Sequence, residues 1–329
     1  MLSCALASPS RPMIDELKER LLAVPELAGW PQARALVARL EEVRPMSSLE
    51  YPLLAAEAVG GERRQAYPAA AAVFCLQTAI HLVDDMLDLE ADGLYRQLGE
   101  GRTANLALAL QAAGLRLIDD AGLSAGRRAA VLQRLAAMSL ATAYGQDRDL
   151  EPAAAEAGYW QVVGAKTPPL FAAALFSGAV MGGAPLPTAR RVEALGQEIG
   201  MIIQINDDLH DAMEVPAKPD WRRPGNNLPI LYAATAEHDE RRRFLDLLPR
   251  VGDRAALEQA QEILVTSGAM SYCCYHVIEH YRRARRRIDA LSLPRAGRLR
   301  RLLAHHVEPL RALLRRVGVE QPDALLDPP

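Results

Sequence analysis

The chain has 329 residues, half of them apolar and 5% aromatic, with a formal charge of −3 at neutral pH. That length buries a substantial core, and the overall charge is not that of a basic nucleic-acid binder. The four cysteines, Cys4, Cys75, Cys273 and Cys274, lack metal-ligand spacing, which argues for a reduced, cytoplasmic setting rather than a disulfide framework.

The first stretch, "MLSCALASPSRP", has neither the basic start nor the long apolar run of a secretory signal. Residues 1–48 are expected to form peripheral helices, 49–317 a helical core and 318–329 a tail, all in one domain. Apolar residues recur at three- and four-residue spacing almost throughout, and alternating strand patterns are nearly absent. The fold class is therefore all-α, a single large helical bundle. Helix breaks are expected at "RPMSS" (44–48), "VGGER" (59–63), "ADG" (91–93), "DDAGLSAG" (119–126), "GGAPLP" (182–187), "VPAKPDWRRPGNN" (215–227) and "LSLPRAG" (291–297).

The first chemical signal is "HLVDDMLDLE" (81–90), where Asp84, Asp85 and Asp88 interrupt an apolar helix. Asp84 and Asp88 are four residues apart and share a helix face, with Asp85 to one side. The uncharged stretch "TPPLFAAALFSGAVMGGAPLPT" (167–188) follows; its alanines, glycines and flanking prolines predict a tightly packed interior helix, not a membrane span. "IQINDDLHDA" (203–212) then repeats the pattern with Asp207, Asp208 and Asp211.

Both motifs precede helix breaks, where the macrodipole disfavours negative charge, so stability alone does not choose them. Clustered carboxylates repel unless a cation sits among them, and hard divalent ions are the partner for oxygen sites. Two such pairs facing across a helical cavity are suited to hold metal together with a polyphosphate. The arginines of "HYRRARRRIDA" (280–290) and "RAGRLRRLLAHH" (295–306) lie on amphipathic helices without interleaved aromatics, which predicts a solvated face and no nucleic-acid partner.

These residues resemble the trans-isoprenyl diphosphate synthases and their relatives on the all-α isoprenoid synthase (type I) fold. "HLVDDMLD" and "GMIIQINDDLHD" resemble the family's two aspartate-rich motifs, and "KTPPLF" (166–171) its Lys-Thr element. "LLAAEAVGG" (53–61), "GNNLPILYA" (225–233) and "ALSLPRAGRLRRLL" (290–303) extend the likeness over roughly residues 50–315. The resemblance implies a central apolar cavity. It assigns Asp84, Asp88, Asp207 and Asp211 as metal ligands, supported by Asp85 and Asp208, for about three Mg²⁺ ions, with Mn²⁺ as a substitute. It further implies that Lys166, Thr167, Gln204, Lys218, Arg96 and Gln77 contact prenyl diphosphate substrate, and that the chain is a homodimer without stable membrane insertion. The Arg222–Arg223 pair is placed in a loop near the diphosphate, and His81 is expected as a satisfied interior histidine.

The sequence departs from the family where a second diphosphate is held. The Gly-Gly-Lys-x-x-Arg segment is replaced by "RPMSSLEYP", with Glu50 where positive charge is expected, and the Arg-Arg-Gly after the first motif is absent. Lost charge-assisted contacts weaken a second anion by about 1.5–3 kcal/mol each. On that ground the expected activity is a terpene synthase, a lyase ionising one C10–C20 prenyl diphosphate. The alternatives are a prenyltransferase condensing isopentenyl diphosphate with an allylic diphosphate, with Arg44 or Arg64 as replacement cations, and a non-catalytic subunit of a prenyl synthase complex. Ala79 and Ile80, just before the first motif, set no aromatic floor to the apolar pocket.

Overall fold

Helices follow one another along the whole computed structural model, which describes residues 11–42, 47–151, 155–316 and 319–326, and no strand occurs among them. Cys4 and Arg44 lie outside the described residues. The main helices are α1 (Arg11–Leu22), α2 (Glu50–Ala58), α3 (Tyr67–Leu87), α4 (Glu100–Asp119), α5 (Ala125–Asp149) and α6 (Glu156–Lys166). They continue as α7 (Pro168–Met181), α8 (Leu186–Asp211), α9 (Leu228–Thr235), α10 (Arg254–Thr266), α11 (Ala269–Asp289) and α12 (Gly297–Arg316).

Prolines open several of them: Pro68 stands in the first turn of α3 and Pro229 in that of α9, where a missing N–H leaves no bond unmade. The Asn227 side chain caps α9 by accepting from the Ile230 amide at 3.4 Å.

The chain groups into two compact units. The first takes its described residues from 1–143, 169–196 and 287–302, and the second from 144–168, 197–286 and 303–329. Helices α5, α8, α11 and α12 each contribute residues to both.

In the first unit the N-terminal half of α3, from Ala69 to Val73 with Cys75 and Leu76, is buried all round. Only a helix enclosed on every side keeps such an unbroken apolar run. α7 is equally enclosed; its 14 residues span roughly 21 Å at 1.5 Å per residue, short of a bilayer core. Among the described residues one helical segment, Arg63–Leu87, is long and apolar enough to cross a membrane, and most of it is packed inside the protein. Close helix approach depends on Gly178: a Cβ there would sit 2.0 Å from the Pro52 carbonyl oxygen of α2. At Gly196, on α8, it would sit 2.5 Å from Ala172 Cα of α7. Tyr51 and Phe171 fill the space beside these contacts, with ring centroids 4.9 Å apart.

In the second unit Trp221 and Phe244 pack with Ile230, Leu257, Ile263 and Leu264 into one core cluster. The arginine-rich helix α11 buries Tyr281 and Ala284 on one face and leaves Arg283 and Arg286 exposed on the other, as its period predicts.

Candidate active site

Two clusters of carboxylates stand at helix ends, one in each unit. In the first, α3 ends at Leu87 and Asp88 caps it, its amide reaching the Asp84 carbonyl at 2.9 Å while the Glu90 amide reaches that of Asp85 at 2.9 Å. The chain then turns through Leu89, which adopts a left-handed φ of 56°. Arg96 secures this turn by donating to the carbonyls of Leu89 at 3.0 Å and Glu90 at 3.4 Å, with its guanidinium over the Tyr95 ring. Arg96, expected as a diphosphate contact, is thus engaged on the loop behind the acids.

Asp84, Asp85 and Asp88 are all half-buried. Burial raises the Asp85 carboxyl above the usual range; His81 and Arg39 oppose that, and Asp92 and Asp88 add to it. His81 is exposed, not interior as expected, because it lies on the side of α3 that emerges from the core one turn before Asp84. Gln77 lies nearly two turns upstream, where its side-chain oxygen accepts a hydrogen bond from the Ser48 hydroxyl.

Glu50 bears on the expected loss of a second anion site. Its carboxylate is buried and paired with Arg63 at 2.6 Å, and Arg63 also reaches Glu57 at 3.4 Å. Arg298 joins Glu57 at 3.2 Å. Glu50 is therefore neutralised by a cation thirteen residues downstream, and presents no bare negative charge.

In the second unit α8 carries Asp207, Asp208 and Asp211 at its C-terminal end. Asp208 is 2% exposed and occupied on both oxygens. Oδ2 accepts from the Tyr159 hydroxyl at 2.6 Å and the Leu228 amide at 2.8 Å, and Oδ1 from Gln204 Nε2 at 2.9 Å. Burial nevertheless pushes its carboxyl up to about 7, because three donors only partly offset the desolvation and Asp220 adds negative charge.

Asp207 is pushed up to about 6, first by the surrounding chain and then by Asp211, with His210 opposing. Asp211 is raised by burial and by Glu214, and drawn down by Lys218 and His210. Gln204 accepts from the Thr167 hydroxyl at 2.6 Å, so Thr167, Gln204 and Asp208 form one chain of hydrogen bonds. Lys166, at the end of α6, is paired with Asp149 at 2.6 Å.

Sequence reading missed Asp149, Tyr159, Asp220, Asn226 and Asn227. Asn227 donates to the Asp208 carbonyl at 3.0 Å and to Asp220 at 3.2 Å, and Asn226 donates to the Asp149 carbonyl. Burial raises the Asp220 carboxyl; Asp211 and Asp149 add to the rise, while Asn227 and Lys166 oppose it. The one signal for these amides was their place in "GNNLPILYA", whose likeness was visible but whose hydrogen bonds were not.

Among the described residues no three His, Cys, Asp or Glu side chains gather as a closed metal cage. The donor set still fits a hard divalent ion. It is all carboxylate, and the raised Asp207 and Asp211 stand with neighbouring negative charge that a cation would relieve. Mg²⁺ keeps several positions for water or phosphate and needs no complete protein cage.

The described residues define an all-α protein in which two helices end in matching carboxylate clusters. Residues 41–264 match the polyprenyl synthetase family, and the chain belongs to that family. It is 26% identical over 310 residues to the short chain isoprenyl diphosphate synthase of Methanothermobacter thermautotrophicus, covering 85% of this chain and 90% of that one. A crystal structure of a geranylgeranyl pyrophosphate synthase superposes with a TM-score of 0.78 at 19% identity, covering 90% of this chain and 95% of that one. The polyprenyl synthase of Caulobacter crescentus CB15, solved with calcium and isoprenyl diphosphate, gives 0.73 at 22%, covering 92% and 98%.

These likenesses overturn the terpene synthase expectation. The near full-length relative is a synthase of isoprenyl diphosphates, not a lyase that consumes them. At Glu50 the replaced linear motif was read as bare negative charge, whereas the fold brings Arg63 onto that carboxylate.

Proposed function

We propose that the chain is a metal-dependent trans-prenyltransferase that condenses isopentenyl diphosphate with an allylic diphosphate to give a longer prenyl diphosphate. The observation that carries this reading is the doubled Asp-Asp-x-x-Asp helix end, in a chain aligned along 90% of a short chain isoprenyl diphosphate synthase.

In this reading Asp84 and Asp88, and Asp207 and Asp211, would hold Mg²⁺, which would supply positive charge against the departing diphosphate. Asp85 supports the first pair. Asp208 acts from within the protein, holding Tyr159, Gln204 and the start of α9 in register. Thr167 and Gln204 orient the allylic diphosphate, and Lys166 and Lys218 supply fixed positive charge where leaving-group charge grows. Gln77 and Arg96 are the remaining candidates for substrate contact. The allylic carbon–oxygen bond breaks, the isopentenyl double bond attacks that carbon, and one proton is lost to form the new double bond. The apolar surfaces of α3 and α7 keep water from capturing the cation.

We further propose a cytoplasmic homodimer. Cys75, Cys273 and Cys274 are free thiols, and α4 and α5 expose the apolar side chains of Leu108 and Leu140. Light scattering at the elution peak of the full chain reads the assembly directly.

The deciding experiment incubates the protein with Mg²⁺, geranyl or farnesyl diphosphate, and isopentenyl diphosphate, and analyses the diphosphates formed. A longer prenyl diphosphate that requires both substrates is expected. Diphosphate release that ignores isopentenyl diphosphate, or no turnover with any allylic substrate, overturns the proposal.

A further inference from the structure

The proposed condensation releases one proton, and that proton needs an acceptor close to the carbon that loses it. In the first unit α3 carries a titratable side chain that the metal-holding and diphosphate-binding roles leave unused, His81. Gln77, His81, Asp84 and Asp88 stand at intervals of four, three and four residues, which sets them along one stripe of the helix. Leu76, Ala79 and Leu82, on the opposite side, are buried. The polar stripe is therefore the face that α3 turns away from its own core.

Packing does not account for a histidine in that stripe, because the ring is exposed and fills no part of the core. It lies about 4.5 Å along the axis from Asp84, at 1.5 Å per residue, and so beside the carboxylate pair proposed to hold the metal-bound diphosphate. Asp85 stands one turn further on and interacts electrostatically with His81, so an imidazolium formed there is attracted by a carboxylate. Asp84 and Asp88 on α3 and Asp92 in the following turn add negative charge on that side, and Arg39, from the short helix Arg39–Glu42, opposes them.

We propose that His81 is the base that ends the condensation. The isopentenyl double bond gives its electron pair to the allylic carbon, which leaves positive charge on carbon 3 of the isopentenyl unit. A ring nitrogen of His81 takes a proton from carbon 2, and the electron pair of that C–H bond becomes the new double bond. Imidazole is suited to this step because it both accepts and returns a proton near neutral pH. Its exposure lets the imidazolium pass the proton to water before the next turnover. The assignment rests on the prenyltransferase reading and supplies the proton acceptor that this reading requires.

The test compares the wild-type chain with His81→Leu and His81→Ala, using Mg²⁺, geranyl diphosphate, and isopentenyl diphosphate carrying either hydrogen or deuterium at carbon 2. Each variant is expected to lower kcat by about 100-fold or more, the scale of a lost general base, with the KM for geranyl diphosphate unchanged. Deuterium slows the variants by a larger factor than it slows the wild type, because proton loss has become the slow step. Added imidazole restores part of the His81→Ala rate, since the space left at an exposed position admits the free base, and it does not restore His81→Leu.

A kcat within a few-fold of wild type in both variants overturns the proposal and leaves the proton to the departing diphosphate. So does a loss of rate that brings neither a larger isotope effect nor rescue by imidazole, for the ring then only supports its neighbour Asp85. A wild-type chain that forms no longer diphosphate overturns the transferase reading and the base with it, whereas elongation by wild type and variants alike sinks the base alone.

Discussion

The hydroxyl of Tyr159 donates to Oδ2 of Asp208 at 2.6 Å, between a side chain 1% exposed on α6 and one 2% exposed on α8. The same oxygen receives the Leu228 amide, so one carboxylate ties together α6, α8 and the start of α9. Substituting Tyr159→Phe removes one donor and leaves the others. Unfolding in urea is expected to show a loss of about 1–3 kcal/mol, the range for a buried bond to a charged group. Asp208→Ala is expected to cost more, because the Tyr159 hydroxyl, Gln204 amide and Leu228 amide all lose their acceptor.

The pH dependence of metal-free stability follows from Asp207 and Asp208, whose carboxyls are pushed up to about 6 and about 7 from an ordinary value of 3.8. Between those values the folded chain keeps protons that the unfolded chain has released. The contribution of these groups is fully favourable below the unfolded value, and is lost as pH rises through 6 and 7. Thermal unfolding in EDTA at pH 5 to 8 is expected to show a pH-dependent loss that flattens in Asp207→Asn. A wild-type and variant profile of the same slope contradicts the assignment.

Removing a carboxylate from either pair proposed to hold metal separates activity from stability. Asp84→Asn and Asp207→Asn are each expected to lower kcat/KM by about two orders of magnitude or more, the scale on which lost electrostatic stabilisation of a transition state is felt. Metal-free Asp207→Asn is expected to unfold at higher temperature than wild type at pH 8, since it removes a carboxylate raised by its neighbour Asp211. Steady-state kinetics with Mg²⁺ and calorimetry without it test the two halves.

The Glu50–Arg63 pair predicts an asymmetry. Arg63→Ala leaves the buried Glu50 carboxylate without its 2.6 Å partner and is expected to cost about 3–5 kcal/mol. Glu50→Gln, which keeps the shape and leaves a part-exposed arginine that also reaches Glu57, is expected to cost less. Equal losses in denaturant titrations would show that the burial of Glu50 plays no part.

Helical periodicity made the all-α fold and most helix breaks legible, because packing at the expected faces agrees with local pattern. A break after each acidic motif was readable for the same reason, but both helices stop earlier than expected, α3 at Leu87 rather than at 91–93 and α8 at Asp211 rather than at 215. Hydrogen-bond partners were not. Tyr159 and Asp208 are 49 residues apart and Asn226 is 77 from Asp149, and no local rule joins such pairs. The exposure of His81 escaped notice because α3 passes from enclosed to open within its own length, so one face cannot be assigned to the whole helix. The reading of Glu50 as bare charge failed similarly: charge was counted along the sequence, whereas neutralisation of Glu50 happens in space.

The backbone contact at Gly178 limits how this sequence can diverge. With the Pro52 carbonyl oxygen 2.0 Å from where any β-carbon would stand, and main chain unable to step aside as a flexible side chain can, even alanine displaces a helix. A library randomised at this codon should yield functional clones with glycine alone. Drift that resizes the interior of this helix pair must then proceed through neighbouring positions, with residue 178 held fixed.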